Sequence, residues 1–428
     1  MVSTAPSQMT HITTLANGIK LIVTENPVAD LVAGRIFLPK AGGRWESLQQ
    51  AGLFHLMAAV LTKGTENYAA VEIAEQIESI GASLGASTSN DYMAMSMKAV
   101  TKDFQTILDL AAEIMQKPTF PEREVELERK ITLQNIRSQM EQPFNVAYKQ
   151  LRENMYPAHP YGMSILGTDE TVKSFTRDDL EAIHAKHFRP DNLIISLSGR
   201  ITLEQAEAIV DKAFGSWENP AEPLEAMTIP NLDPTGGMWQ KEQDSQQAII
   251  ILGYLTGTVA DDDFFALKLL STYLGNGLSS RLFVELREKQ GLAYDVSAFF
   301  PTRLNQSQFV TYIGTAPKNT AIALKGLHKE AKRLVDAPLS EAELQIAKNK
   351  LLGQYALGKQ TNAELAQIFG WYESIGLGVG FDQEFKTHIE RITPEETYAA
   401  AQRHFKNPYI SVVGSKDALS LLEDIELS

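Results

Sequence analysis

The chain has 428 residues, of which 44% are hydrophobic, a globular composition with enough length for two hydrophobic cores. Its 53 acidic and 39 basic residues give a net charge of −14, which disfavours nucleic acid and anionic lipid surfaces as partners. The absence of cysteine excludes disulfides, thiolate nucleophiles and cysteine-based metal sites. Because we find neither a signal-peptide pattern nor an apolar run of about eighteen residues, we expect a cytoplasmic protein without a membrane segment.

The N-terminal half alternates between predicted strands and helices. Asn17-Gly18 is typical of a two-residue hairpin turn, and residues 31–38 form the next strand candidate. Residues 51–61 are apolar almost all round and predict a buried helix, whereas residues 71–80 predict an amphipathic helix that ends at Gly81. Strands are further predicted over residues 82–86 and 193–197, and helices over residues 102–116, 121–142 and 176–187.

A proline-rich segment, residues 219–237, has the composition of a linker. Beyond this linker the order of predicted elements repeats, and single residues correspond. Thr176 precedes a helix that reaches His187-Phe188, and Thr393 precedes one that reaches His404-Phe405, with the same eleven-residue spacing. The chain therefore contains an internal repeat.

The repeat predicts two related domains. The segment from Gly81 to Ser87 corresponds to the segment from Gly291 to Ser297, in the same order as the helix ends. We therefore predict an α+β fold in which residues 1–218 form an N-terminal domain and residues 238–428 a C-terminal domain. Each domain is expected to have a mixed or antiparallel sheet packed against helices.

The C-terminal domain contains a glycine-rich stretch followed by a helix. Gly275 and Gly277 predict a flexible turn, and the hydroxyl of Ser279 or Ser280 could cap the helix that follows. This helix should carry an apolar stripe and two ion pairs at four-residue spacing, formed by Leu282, Phe283 and Leu286 and by Arg281–Glu285 and Glu285–Lys289.

A strand pattern follows Gly291. Alternation predicts that Leu292, Tyr294, Val296 and Ala298 share one face of the strand. Because Arg287 lies near the helix end and Tyr294 near the strand start, a tight turn could bring a guanidinium and a phenol together. Two such donors could hold a developing oxyanion on a peptide carbonyl. The alternative is a solvated helix arginine and a half-buried strand tyrosine, with no function in catalysis.

One candidate metal site lies on the helix predicted over residues 176–187. Glu181, His184 and His187 recur at three-residue spacing and could face a metal ion together. His187 has a repeat counterpart in His404, whereas Glu181 and His184 have none. We therefore favour a structural role, in which a His-Phe pair ends the helix against the sheet.

Several blocks of the chain, in the same order, carry a family resemblance. The stretch from Gly275 to Val296, with seven residues from Arg287 to Tyr294, resembles the glycine-rich loop and paired arginine and tyrosine of the pitrilysin-like metallopeptidases. That family includes insulin-degrading enzyme and the mitochondrial processing peptidase. Further blocks are Lys63–Tyr68, Ile73–Ser89, His159–Gly162 and Gly167-Thr168. The resemblance covers nearly the whole chain and implies half of a clamshell that closes on a peptide.

The zinc motif of the family is degenerate here. The resemblance implies His-x-x-Glu-His on a helix, completed by a distant glutamate. The aligned stretch begins with His55, but Ala58 stands in place of the general base and Ala59 in place of the second histidine. Asn135, seventy-six positions beyond Ala59, replaces the acidic ligand. One imidazole and a neutral amide cannot hold zinc against water, so we expect no cofactor and no catalysis in this chain alone, and a structural role for His55.

A second departure concerns substrate docking. The strand from Leu84 to Ser89 aligns with the family's edge strand, along which the substrate main chain is expected to lie, so that Ala86 and Ser87 are candidate contacts. Gly85 replaces the asparagine that usually precedes the alanine. Strand addition is therefore doubtful in this half.

The resemblance implies a division of labour between two chains. Our leading hypothesis is the non-zinc subunit of a heterodimeric metallopeptidase, whose homologous partner has an intact His-x-x-Glu-His and binds the zinc. Arg287 and Tyr294 would bind the scissile carbonyl of an extended peptide in trans. Backbone groups of the loop would bind the substrate, at Gly275, Asn276, Gly277, Leu278 and Ser279. The alternative is a catalytically inert structural subunit of a larger complex, and a third hypothesis, a self-sufficient peptidase with another metal set, has little support.

Overall fold

The computed structural model describes residues 9–425, and within them eleven strands and fifteen α-helices alternate. The strands are β1 Thr10–Thr14, β2 Lys20–Glu25, β3 Leu31–Leu38, β4 Ser83–Thr88, β5 Met93–Val100, β6 Ile194–Gly199, β7 Gly237–Glu242, β8 Ala248–Leu255, β9 Ala293–Phe299, β10 Gln308–Thr315 and β11 Tyr409–Gly414. The helices are α1 Leu53–Val60, α2 Ala70–Ser79, α3 Phe104–Gln116, α4 Glu122–Glu141, α5 Pro143–Met155, α6 Asp169–Ser174, α7 Arg177–His187, α8 Leu203–Phe214, α9 Phe264–Gly275, α10 Thr320–Asp336, α11 Glu341–Leu357, α12 Asn362–Ser374, α13 Phe381–Arg391, α14 Pro394–His404 and α15 Lys416–Ser420. A π-helix spans Phe283–Glu288.

The first compact unit is built on a six-stranded sheet in the order β1-β2-β6-β3-β5-β4. β2 and β6 run parallel, and the other neighbours run antiparallel. Every residue of the central strand β6 is buried, because helices cover both faces of the sheet. β4 forms one edge, so its outer main-chain groups face away from the sheet.

The second compact unit repeats this topology in a five-stranded sheet, in the order β7-β11-β8-β10-β9. β7 and β11 run parallel and the remaining pairs antiparallel, as their counterparts do in the first unit. β9 therefore corresponds to the edge strand β4. The predicted α+β fold with two similar domains is confirmed, and β1 is the one strand without a counterpart among the described residues.

The helix ends of the repeat are also equivalent. Thr176 and Thr393 each accept a hydrogen bond from the backbone N–H three residues later, which caps α7 and α14. Both helices have eleven residues. No helix among residues 9–425 is long and apolar enough to cross a membrane.

The compact units differ from the predicted domains because each contains segments from the other half of the sequence. The first unit comprises the chain up to Ile136, Met163–Met227 and Leu357–Asp382, and the second comprises Arg137–Gly162, Thr228–Ala356 and the chain from Gln383 onward. The predicted boundaries at residues 218 and 238 must be corrected accordingly. Hydrophobic periodicity shows that a helix has a buried face but does not identify the sheet that the face covers.

Two helices, α5 and α12, each belong to the unit that is formed mainly by the other half of the sequence. Close approaches at two glycines show how they pack. α12 lies on β3 and β6 of the first sheet, where a Cβ at Gly370 would overlap the ring of Phe37. α5 lies on β8 and β11 of the second sheet, where a Cβ at Gly253 would lie 2.9 Å from the Cε of Met155. In each unit a glycine thus lets a helix and a sheet approach closely.

Candidate functional site

Arg287 and Tyr294 lie side by side on the surface of the second unit. The guanidinium of Arg287 stacks over Phe283, 5.0 Å from the ring centroid, and its Nη1 donates to the carbonyl oxygen of Tyr294 at 2.8 Å. Both side chains are exposed, that of Tyr294 to 56%. The turn at Gly291, with φ of +63°, joins the helix to the strand tightly enough to allow this contact. The arrangement leaves a cation and a phenol accessible to a ligand.

The helix that carries Arg287 is a π-helix over Phe283–Glu288 rather than the predicted α-helix. The predicted ion pairs are present, because Glu285 lies 3.1 Å from Arg281 and 2.8 Å from Lys289. The wider turn keeps Leu286 fully buried while the next side chain, Arg287, is exposed. π-Helical turns of this kind are rare in proteins as a whole, and those that occur are often found at functional sites.

Tyr294 points away from the face on which alternation placed it. Leu292, Val296 and Ala298 are buried as predicted, but Tyr294 is not. The cause is a β-bulge, since Gly314 pairs with Asp295 and Thr315 pairs with Ala293, which leaves Tyr294 as the extra residue. A bulge reverses the alternation of side chains locally, so the phenol of Tyr294 faces solvent.

The glycine-rich loop contains one buried and one exposed glycine. Gly275 is the last residue of α9 and is buried. It packs so closely on β9 that a Cβ there would overlap the backbone of Ala298. The predicted flexible turn is therefore wrong at Gly275, where glycine allows close packing instead. The carbonyl oxygen of Gly275 already accepts a hydrogen bond from the hydroxyl of Ser297 at 2.7 Å. Gly277, with φ of +77°, does form an exposed turn.

Beyond Gly277 the loop is open to solvent. Leu278 is 74% exposed and Ser279 is exposed as well, whereas the amide of Asn276 donates to the side-chain oxygen of Gln354 and so ties the loop to α11. Neither serine caps the next helix with its side chain as predicted. The hydroxyl of Ser280 is buried and has no hydrogen-bond partner among the described residues.

The predicted substrate strand is the edge strand β4 of the first unit. Ser87 is exposed and Ala86 half-buried on this strand. Gly85 has no atom within 4 Å of the position that a Cβ would occupy, so a side chain would fit there. Gly81 before β4 has φ of +61°, nearly the same as its repeat counterpart Gly291.

The degenerate motif lies on α1. Ala58 is 6% exposed and packs within the main hydrophobic core of the unit, whereas His55 is half-buried. Burial lowers the pKa of His55, and the carboxylate of Glu128 on α4 opposes this effect. Asn135 lies two turns further along α4 and is exposed. Glu128 itself forms an ion pair with Lys63 at 3.0 Å.

These residues do not fit a zinc ion. The methyl groups of Ala58 and Ala59 provide no donor atom, and the carboxylate of Glu128 is already paired with a lysine. Among the described residues no group of three or more histidine, aspartate or glutamate side chains could hold a metal ion. No step of a reaction can therefore be assigned to a metal held by α1.

The three residues of the second candidate metal site, on α7, each contact a different partner. Nε2 of His184 lies 2.9 Å from the carbonyl oxygen of Met115, and Glu181 pairs with Arg177 at 2.7 Å. His187 is 3% exposed and its Nδ1 contacts the carbonyl of Lys40. The three side chains therefore have separate structural contacts and do not converge.

Sequence reasoning did not identify Glu46. Its buried carboxylate accepts hydrogen bonds from the N–H groups of Gly52 at 3.0 Å and Phe54 at 2.7 Å, at the start of α1. Burial raises the pKa of Glu46 to about 7, although these backbone donors act in the opposite direction. A single acidic residue before an apolar helix was the only signal in the sequence.

Comparison with known families gives two matches along the chain. Residues 21–169 match the family described as Insulinase (Peptidase family M16), and residues 174–351 match the family described as Peptidase M16 inactive domain. A Rickettsia bellii protein named an uncharacterized zinc protease is 26% identical over 390 residues, which cover 90% of each chain. A Bacillus subtilis protein also named an uncharacterized zinc protease is 28% identical over 357 residues, which cover 83% of this chain and 86% of that one.

Two solved structures are similar over almost their whole length. The structure described as a peptidase M16 inactive domain from Pseudomonas fluorescens has a TM-score of 0.88 and 25% identity, and covers 95% of this chain and 98% of that one. A protease from Helicobacter pylori has a TM-score of 0.89 and 21% identity, and covers 95% of this chain and 99% of that one. The latter likeness is one of fold alone.

Proposed function

The chain belongs to peptidase family M16, and from this premise we propose that it is the non-zinc subunit of a heterodimeric metallopeptidase. The observation that carries the proposal is the contact between exposed Arg287 and Tyr294 in one unit, while alanines occupy the metal and base positions in the other. A homologous partner with an intact His-x-x-Glu-His would hold the zinc. This chain would then need no cofactor of its own.

Arg287 and Tyr294 would stabilise the scissile carbonyl or its oxyanion in trans. The guanidinium is already oriented by the ring of Phe283 and by the carbonyl of Tyr294, so little conformational entropy remains to be lost on binding. A donor that is held in place before the reaction lowers the barrier by about 3 kcal/mol in comparable oxyanion sites. The exposed phenol can provide a second donor.

The substrate main chain has two candidate docking segments. Exposed backbone groups of the loop from Asn276 to Ser279 can bind an extended peptide next to the arginine helix. On the first unit the open edge of β4, at Ala86 and Ser87, can accept the peptide as an added strand. Both features support peptide binding by this chain.

The test is reconstitution with a homologous chain that has an intact His-x-x-Glu-His. We expect this chain alone to be inactive on peptides and the pair to cleave them. Replacement of both Arg287→Ala and Tyr294→Phe should lower kcat/KM of the pair at least about 100-fold, because two oxyanion donors are lost. Peptide hydrolysis and co-elution of the subunits should be measured together.

Lys289→Ala provides the matched control, since Lys289 is an exposed cation of the same segment. Activity of this chain alone, or full activity of the pair with the double variant, would overturn the proposal. In the second case, intact assembly would favour the alternative of an inert structural subunit.

A further inference from the structure

A cavity of about 200 Å³ lies beneath the glycine-rich loop, within the second unit. Its walls come from the end of α9, the start of the arginine helix and one face of α11. The α11 face consists of residues at helical spacing, Glu343, Ile346, Ala347 and Lys350. Ile346 is 62% exposed there, which is a high exposure for a large aliphatic side chain in the wall of a cavity.

The charges around the cavity leave one cation without a partner. Arg281 pairs with Glu330 at 2.7 Å and Glu285 at 3.1 Å, and Arg333 pairs with Glu343 at 2.9 Å. Glu285 also pairs with Lys289 at 2.8 Å, so every carboxylate of this network has at least one cation partner. Lys350 remains, and no carboxylate among the described residues lies within ion-pair distance of its ammonium group.

Lys350 is positioned directly below the loop. Its Nζ lies 3.2 Å from the place where a Cβ at Gly277 would be, so the ammonium group approaches the loop backbone closely. Burial lowers the pKa of Lys350, which means that its charge is partly removed from water without compensation. An anion that entered the cavity would restore the lost solvation.

Ser280 is a second polar group in the wall of the same cavity without a partner. The residue is 2% exposed, and its hydroxyl has no hydrogen-bond partner among the described residues. Buried hydroxyl groups are normally hydrogen-bonded, so the Ser280 hydroxyl in this wall is available to an acceptor that enters the cavity. A carboxylate accepts hydrogen bonds from both an ammonium group and a hydroxyl group.

We propose that this cavity is a binding site for a carboxylate on an apolar stem, contributed by the peptide substrate as a glutamate side chain or as its C-terminal carboxylate. The aliphatic side chain of Ile346 would contact the stem, and Lys350 with Ser280 would bind the carboxylate. The peptide source rests on the proposed function, since the loop above the cavity is the one assigned to the substrate main chain. The site would select for substrate sequence without taking part in catalysis.

The experiment uses the whole chain without its partner, so binding is measured apart from catalysis. The first probes are N-acetyl-leucine and its amide. Their binding is measured from NMR chemical-shift changes on titration. The second probes are N-acetyl octapeptides that carry glutamate or glutamine, each with a free or an amidated C-terminus. We expect the carboxylate forms to bind about tenfold more tightly, and Lys350→Met to abolish the difference while Lys350→Arg retains it.

Lys325→Met is the matched control, because Lys325 is an exposed lysine of α10 that does not line the cavity. Equal binding of acid and amide probes, or a preference that survives Lys350→Met, would overturn the carboxylate site. Binding of N-acetyl-leucine but of no octapeptide would keep the site and count against the peptide as its source. The glutamine peptide and the amidated peptide distinguish the side-chain carboxylate from the terminal one.

Discussion

The two edge strands, β4 and β9, occupy equivalent positions in two sheets of the same topology, yet their surroundings differ. β4 pairs with β5 in unbroken register, and β9 pairs with β10 through a bulge at Tyr294. The helix before β4 is a regular α-helix, and the one before β9 is a π-helix. Local irregularity is thus concentrated in the unit that keeps the arginine and tyrosine.

This difference indicates that the second unit meets a structural requirement in addition to stable folding. Bulges and π-turns disrupt regular hydrogen bonding, so they persist where a side chain must be directed to a particular place. In the first unit the methyl group of Ala58 on α1 packs within the hydrophobic core. The second unit still places Arg287 and Tyr294 in solvent.

The largest effect should come from adding one methyl group to each edge region. Gly275→Ala should destabilise the protein by more than about 3 kcal/mol, because the new Cβ would overlap the backbone of Ala298 and force α9 away from β9. Gly85→Ala should be neutral or slightly stabilising, since no atom lies within 4 Å of its Cβ position. Urea unfolding of the two variants measures the difference.

Similar free energies of unfolding for Gly275→Ala and Gly85→Ala would mean that α9 does not pack against β9 as described. Gly81→Ala provides a further reference. Its Cβ position is also open, but its φ of +61° would strain any other residue. A loss of about 1 kcal/mol there would report backbone strain without a clash.

The sequence predicted those parts of the fold that depend on local patterns. The helix that carries His55, the strand of residues 31–38 and the helices that follow Thr176 and Thr393 were predicted from local patterns, and all are present. The exchange of α5 and α12 between units could not be predicted, because it depends on which sheet face each helix covers.

The candidate site was predictable only in part, for a similar reason. A glycine turn between Arg287 and Tyr294 predicted that the two residues are close together. The exposure of Tyr294 depends on the bulge opposite Gly314 and Thr315, some twenty residues later in the chain, and no local pattern reports it. The cavity at Lys350 likewise requires α11 to lie beneath the loop.

The second prediction compares the two helix-end histidines in acid. Burial lowers the pKa of His187 to about 4 from 6.5, so the unfolded chain takes up a proton at a pH where the folded chain does not. The contribution of His187 to the free energy of unfolding is therefore fully present above pH 6.5. It is lost as the pH falls toward 4, a change of about 3 kcal/mol. Urea unfolding between pH 7 and pH 4 should show a shallower pH dependence in His187→Gln than in the parent protein.

His404→Gln is the matched control for this measurement. His404 ends the equivalent helix α14, and its Nε2 lies 2.8 Å from a carboxylate oxygen of Asp263, so this variant controls for the loss of a helix-end histidine and its contact. Glu46 contributes with the opposite sign, because its raised pKa favours the folded state as the pH falls below about 7. The difference between variants, rather than the total slope, therefore isolates His187. Identical profiles for the two histidine variants would contradict the structural role of His187.

The smallest effect should come from placing an asparagine at position 85 on β4. Gly85→Asn has room for its side chain, and the added amide could bind the main chain of a peptide that extends the sheet. One such hydrogen bond is worth about 1 kcal/mol, so peptide affinity should rise about fivefold, as measured by fluorescence anisotropy with the whole chain. Gly85→Ala separates the amide from the general stiffening of the strand. If both variants bind alike, β4 does not receive the substrate in this way, and peptide binding would have to depend on the loop of the second unit.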